Sequence, residues 1–122
     1  MILIDTSIWI DHFRTGDSEL SALLQDSDVL AHPWVTGELA LGRLSHRREI
    51  LGLLHNLPQA TVATDVEVLT LIDNQQLFGL GIGYVDAHLL AATMLTTGAR
   101  LWTRDKRLAT VAARHGLARG NG

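Results

Sequence analysis

An unbroken apolar run, Met1 to Ile4, that stops at Asp5 constrains this chain more than any other feature of it. A strand apolar at every position needs cover on both faces, and helices packed on either side of a parallel sheet provide it. The same pattern returns along the sequence. Val29 to Ala31, Ala60 to Ala63 and Arg100 to Thr103 each read as a short buried strand. The stretches between them carry helical spacing. Thr6 or Ser7 caps a short helix through Phe13, and Asp17 and Ser18 introduce a second carrying Leu20, Leu23 and Leu24. Pro33 opens a helix from about Trp34 to Leu44, and another runs from about Arg47 to Leu57, ahead of Pro58. Asp65 caps a helix that buries Val68, Leu69 and Ile72. Two more span about Val85 to Thr97 and Lys106 to His115, stopped by Gly98 and Gly116. This alternation predicts an α/β fold with a parallel sheet and right-handed crossovers. With 122 residues the expectation is a single domain over 1–122, its tail loose after about residue 117.

In open parallel sheets ligands bind beyond the carboxyl ends of the strands, where strand order reverses. Asp5 and Asp105 both follow such ends, and the helices carrying Glu38 and Asp86 start from the same edge. Each acid taken alone has an ordinary explanation. Asp5 and Asp105 can cap helices, and Asp86 suits the positive end of a helix. Glu38 is harder to explain this way, because Trp34, Val35 and Leu41 lie three or four residues away and place it in an apolar stripe. Four carboxylates at roughly 5 Å would repel by about 3 kcal/mol per pair, on the order of 20 kcal/mol for six pairs, more than the stability of a domain. Such a cluster must protonate, spread or bind cations.

The donors available are oxygen and imidazole, because cysteine is absent. None of the six histidines falls in a ligand spacing such as HxxxH, and His88, two residues past Asp86, points elsewhere around its helix. An all-oxygen set suits Mg²⁺ or Mn²⁺. A hard cation held by carboxylates ionises water and neutralises a phosphodiester under attack, so phosphodiester hydrolysis is the expected chemistry. Arg104, Lys106 and Arg107 flank Asp105 and are candidates to hold the substrate backbone, although Lys106 and Arg107 read equally well as ordinary exposed residues of the last helix.

A formal net charge of -3 argues against wholesale wrapping of a nucleic acid, which leaves local basic clusters at Arg43, Arg47 and Arg48 and around Asp105. No apolar stretch approaches bilayer-spanning length, so no membrane association is expected. The opening run lacks a preceding basic region and breaks at Asp5, which predicts no signal peptide and a cytoplasmic protein. Three other readings stay open. Phosphotransfer on Asp5 lacks a basic residue at a strand end, since Lys106 begins a helix, and Ser7 stands where a second acid would be needed. A noncatalytic module would keep the acidic pocket to receive a partner's arginine. Nucleotide binding at Gly79, Gly81 and Gly83 would need a strand before these glycines, and a helix precedes them.

Four segments carry a resemblance: Ile4-Asp5-Thr6-Ser7-Ile8-Trp9-Ile10-Asp11, Val35-Thr36-Gly37-Glu38-Leu39, Tyr84-Val85-Asp86-Ala87-His88-Leu89-Leu90, and Leu101-Trp102-Thr103-Arg104-Asp105-Lys106-Arg107-Leu108. In this order and at these intervals the chain resembles the PIN-domain ribonucleases, and within them the VapC toxins of toxin-antitoxin pairs. The resemblance implies a three-layer sandwich whose central, mainly parallel sheet of four or five strands is flanked by helices. It implies a Mg²⁺- or Mn²⁺-dependent endoribonuclease with Asp5, Glu38, Asp86 and Asp105 as its catalytic, metal-holding acids. Thr6 and Thr103 match the hydroxyl residues that support them. It also implies an RNA substrate, a homodimer, and a cognate VapB-type antitoxin whose C-terminal segment occludes the acidic mouth.

Overall fold

Ile2–Ile4 (β1) is flanked by two parallel partners, Val29–Leu30 (β2) on one side and Arg100–Trp102 (β3) on the other. The computed structural model of the protein describes residues 1–119. Register is fixed by burial: Leu3 pairs with Leu30 and Leu101, and Ile4 with Trp102, with Leu3 and Ile4 wholly excluded from solvent. A slip of one residue would turn these side chains to the opposite face.

Single parallel bridges widen the sheet at both edges, Ala31 with Gln59 and Leu101 with Ala118. Among the described residues five backbone segments therefore lie side by side, three of them as ladders. The strand expected over Ala60 to Ala63 reduces to that one bridge. Ala60 N–H donates to Ala31 O at 2.8 Å, but Thr61 N–H turns away to the Thr96 hydroxyl at 2.9 Å. The ladder stops because the next donor on this segment, residue 62, would have to reach Pro33, and the neighbouring chain has by then turned at His32 into the helix that Pro33 opens.

At the other edge the expected loose tail is fastened through its first residues. Leu101 N–H donates to Leu117 O at 2.7 Å, and Arg119 N–H donates to Leu101 O at 2.9 Å. The Arg119 guanidinium also lies 4.4 Å from the Trp102 ring centre and 2.7 Å from Glu19. The remainder of that tail, residues 120–122, lies outside the described residues.

Among the described residues seven helices surround the sheet: Thr6–Thr15 (α1), Ser18–Gln25 (α2), Pro33–Leu41 (α3), Arg47–Asn56 (α4), Asp65–Asn74 (α5), Tyr84–Leu95 (α6) and Lys106–Arg114 (α7). Three details differ from the expectation. α3 ends at Leu41, because Gly42 is extended (φ -86°, ψ 179°), and Leu41 is almost fully exposed. α5 is capped by Thr64, not Asp65: Glu67 N–H donates to the Thr64 hydroxyl at 3.1 Å, and Thr64 N–H donates to Glu67 at 2.9 Å. Leu69 faces solvent, while Val68, Leu71 and Ile72 face inward.

α6 is the most deeply embedded helix, with every residue from Ala87 to Thr93 buried. On the other side, Trp9 of α1 is fully buried and stacks on Phe13 with ring centres 5.5 Å apart. The α3 N-terminus is held by an unusual cap. Fully buried His32 accepts the Trp34 N–H on Nδ1 at 3.0 Å.

Candidate active site

Asp5 is both the first residue beyond β1 and the N-cap of α1, accepting the Thr6 N–H on Oδ1 at 2.7 Å. Because Ile4 is in register with Trp102, Asp5 N–H reaches Trp102 O at 3.0 Å and Thr103 falls beside it. The Thr103 hydroxyl donates to Asp5 Oδ2 at 2.6 Å and accepts the Asp105 N–H at 3.1 Å. Asp105 in turn caps α7, its Oδ1 accepting the N–H groups of Arg107 at 2.9 Å and Leu108 at 3.1 Å. The ordinary capping roles of these acids are therefore real. They also aim the carboxylates, because a cap at a strand's carboxyl end faces the crevice.

The other two acids arrive on helices. The Thr6 hydroxyl donates to Glu38 Oε1 at 2.6 Å, joining α3 to α1. Asp86, in the first turn of α6, reaches back so that Gly83 N–H donates to its Oδ2 at 3.2 Å. Asp5, Glu38, Asp86 and Asp105 all line one cavity of ≈ 450 Å³, together with Thr6, Ser7, Ile10 and Arg104. Sequence reasoning had not singled out Ser7 and Ile10 as wall residues. Their signal was available, since Ser7 lies in the first turn after the Asp5 cap and Ile10, three residues on, shares its face of α1.

The electrostatics agree with this convergence. Burial raises the Asp86 pKa above its ordinary value, the Gly83 N–H opposes that rise, and the charges of Asp5, Asp105 and Glu38 add to it. Two expectations are corrected. Glu38 lies exposed at the mouth and not buried in an apolar stripe, because α3 stops early and Leu41 turns outward. Among the described residues, moreover, no three carboxylates or imidazoles form a ready-made metal cage. Each acid has an oxygen committed to a backbone N–H or a hydroxyl, which spaces the group around an open mouth.

The three basic candidates divide. Arg104 lines the acidic cavity, but its guanidinium is held by Asp11 and, at 2.9 Å, by Asp17. Lys106 and Arg107 line a neighbouring cleft with Thr110 and Arg114. Arg107 lies across Gly81, where φ is +80° and an added Cβ would stand 2.5 Å from its Nη1. Gly81 therefore allows the loop before Asp86 to approach the helix capped by Asp105.

Asp86→Asn tests the shared field. A raised carboxyl pKa costs the fold nothing below the ordinary 3.8 and progressively more as pH rises toward the folded-state value. In chelator-treated protein, the variant is expected to be more stable than the wild type at neutral pH, with the gain vanishing as pH falls to about 3.8. Denaturant midpoints across that range check it; a pH-independent difference would refute the shared field.

The family model for the PIN domain matches residues 2–114. Two relatives, both named Ribonuclease VapC32, come from Mycobacterium tuberculosis strains CDC 1551 / Oshkosh and ATCC 25618 / H37Rv. Each is 51% identical to this chain over 118 residues, covering 97% of it and 95% of the relative.

Proposed function

This chain belongs to the PIN-domain family, and from that membership we propose that it is a VapC-type endoribonuclease, the toxin of a toxin-antitoxin pair, hydrolysing RNA phosphodiester bonds. We assign the chemistry to Asp5, Glu38, Asp86 and Asp105. The observation that carries this assignment is that four carboxylates from four separate segments line one cavity at the carboxyl edge of the sheet.

The donor set fits Mg²⁺ or Mn²⁺. Its oxygens are hard, and a spaced, open arrangement suits an ion that keeps several of its waters and takes only one or two carboxylates directly. When bound, such an ion lowers the pKa of a water and offsets charge on the scissile phosphate. The protein's own groups do the positioning. Thr103 holds Asp5 and the start of the Asp105 loop in one network, and Thr6 holds Glu38 against α1. Arg104 borders the mouth, but Asp11 and Asp17 already offset its charge, which leaves it a wall residue and not a free anion contact. We assign to Lys106 and Arg107, which line the neighbouring cleft, the holding of the RNA backbone beyond Asp105. An aspartyl-phosphate mechanism is disfavoured, because it would need a basic partner at a strand end and the chain's one lysine, Lys106, begins α7.

The proposal extends to a cytoplasmic homodimer, bound in the resting state by a cognate VapB-type antitoxin whose C-terminal segment covers the mouth. No helix among the described residues is long and apolar enough to cross a membrane. Partner-free protein is expected to cleave total cellular RNA with Mn²⁺ or Mg²⁺ and to stop in excess chelator; undiminished cleavage in chelator would end the proposal. Ion binding has a second readout. At 100 times its dissociation constant, Mn²⁺ stabilises the fold by about 2.7 kcal/mol, roughly 10 °C in melting temperature. Glu38→Gln is expected to show a clearly smaller rise, and an equal rise would remove Glu38 from the site.

A further inference from the structure

A second cavity, of ≈ 470 Å³, lies beside the acidic mouth and is lined by residues of α1, of α3 and of the loop 42–45. Ile10 and Glu38 line both spaces, so the two adjoin. Its floor is apolar, formed by Ile10, half-buried Phe13 and buried Leu39. Arg14 and Arg43 stand on its walls, both exposed.

These arginines differ from Arg47, Arg104 and Arg119. Arg104 and Arg119 are held by carboxylates, and Arg47 donates back to the Ala40 carbonyl. Arg14 and Arg43 make no ion pair or side-chain hydrogen bond among the described residues. Their guanidiniums, therefore, need not break an internal contact to bind an anion. Among the described residues Glu38 is the only acid lining this space, and it borders the acidic mouth as well. Cationic walls over an apolar floor match a nucleic-acid single strand, whose phosphates follow the charge while an unstacked base lies on the floor. A duplex keeps its bases stacked and has nothing to place there.

On the footing of the ribonuclease reading above, we propose that this groove seats the single-stranded RNA flank on one side of the scissile phosphate. Arg14 and Arg43 grip consecutive phosphates through bidentate forks, and Ile10 and Phe13 receive a base. Cleavage is thereby directed to bonds in loops or unpaired stretches, and the pinned Arg104 takes no part in holding this flank.

The test measures binding of a labelled, mixed-sequence single-stranded RNA of about 12 nucleotides. It is run in the Asp5→Asn background so that the probe stays intact. Removing both guanidiniums (Arg14→Ala with Arg43→Ala) is expected to weaken binding at least tenfold. It should also flatten the slope of log affinity against log salt by about 1.4, at about 0.7 per phosphate contact. The lysine pair, Arg14→Lys with Arg43→Lys, is expected to restore most of the slope, and Arg48→Ala, outside the groove, to change little. Unchanged affinity and slope in the alanine pair would overturn the proposal. So would an equal loss of binding to a duplex of the same length. RNA binding retained while an Asp- and Glu-rich peptide loses its hold would reassign the groove to a protein segment. Cleavage by the wild type that disappears in Asp5→Asn, alongside unaltered RNA binding in the arginine variants, sinks the groove and spares the nuclease. Wild-type protein that neither binds nor cleaves RNA sinks both.

Discussion

Asp5→Asn is expected to cut RNA cleavage by on the order of 10³-fold, about 4 kcal/mol of transition-state stabilisation, with the fold intact. Asparagine is close in shape and can still cap α1 through its side-chain oxygen, accepting the Thr6 N–H that Asp5 accepts now. The Thr103 hydroxyl donates to the other carboxylate oxygen, and it can rotate to accept from an amide instead. What the substitution removes is the negative charge at the centre of the hydrogen-bonded group that ties Asp5 to Thr6, Thr103 and Asp105. End-mapped cleavage of total cellular RNA, with a melting curve on the same sample, separates lost chemistry from lost structure. A folded Asp5→Asn protein within tenfold of wild-type cleavage would exclude Asp5 from the chemistry.

Mild acid is expected to destabilise the protein through His32, on the order of 3 kcal/mol between pH 6.5 and about 4. Burial, with a smaller contribution from neighbouring His88, lowers the His32 pKa from 6.5 to about 4. Its Nδ1 accepts the Trp34 N–H, so it must stay unprotonated there to cap α3. The sign follows from linkage. The unfolded chain takes up this proton below pH 6.5 while the folded chain resists until about 4, so the stabilisation is complete above 6.5 and lost as pH falls. A loss of that size matters against a typical total of about 5 to 15 kcal/mol. His32→Asn keeps a capping oxygen without titrating, and its denaturant midpoints are expected to fall less steeply over the same range. Asp86 titrates with the opposite sign in both proteins and cancels in the comparison. Parallel slopes for the two proteins would remove His32 as the cause. Because α3 carries Glu38, loosening of its cap is expected to reach the acidic mouth first.

The parts of the site readable from the sequence were those with local causes. Asp5 and Asp105 stand where buried strands end and helices must be capped, and both conditions appear within a few residues of each acid. Glu38 was picked out on a premise the structure does not share. Its apolar neighbours suggested burial, yet Leu41 is 91% exposed and Glu38 faces the open mouth, its oxygen held by Thr6. Side-chain spacing gave its face of the helix but not what lay opposite. The strand expected over Ala60 to Ala63 failed for a similar reason. Those residues have strand character, but the strand beside them ends at Ala31 and turns at His32 into α3, leaving the ladder nothing to continue on. Arg104 looked like a substrate contact because it adjoins Asp105, and nothing local announced that Asp11 and Asp17 would hold it.

Taken by itself, the order of residues determined an α/β chain with short doubly covered strands and acids at the strand and helix starts, because burial on both faces and end-capping depend on near neighbours. Only the tertiary structure decided which acids meet and what holds them. The Thr103 hydroxyl reaches Asp5 across 98 positions because β1 and β3 pair in one register. Arg104 is tied while Arg14 and Arg43 are left to line a groove, since an arginine's partners are set by which surfaces the packed layers bring face to face.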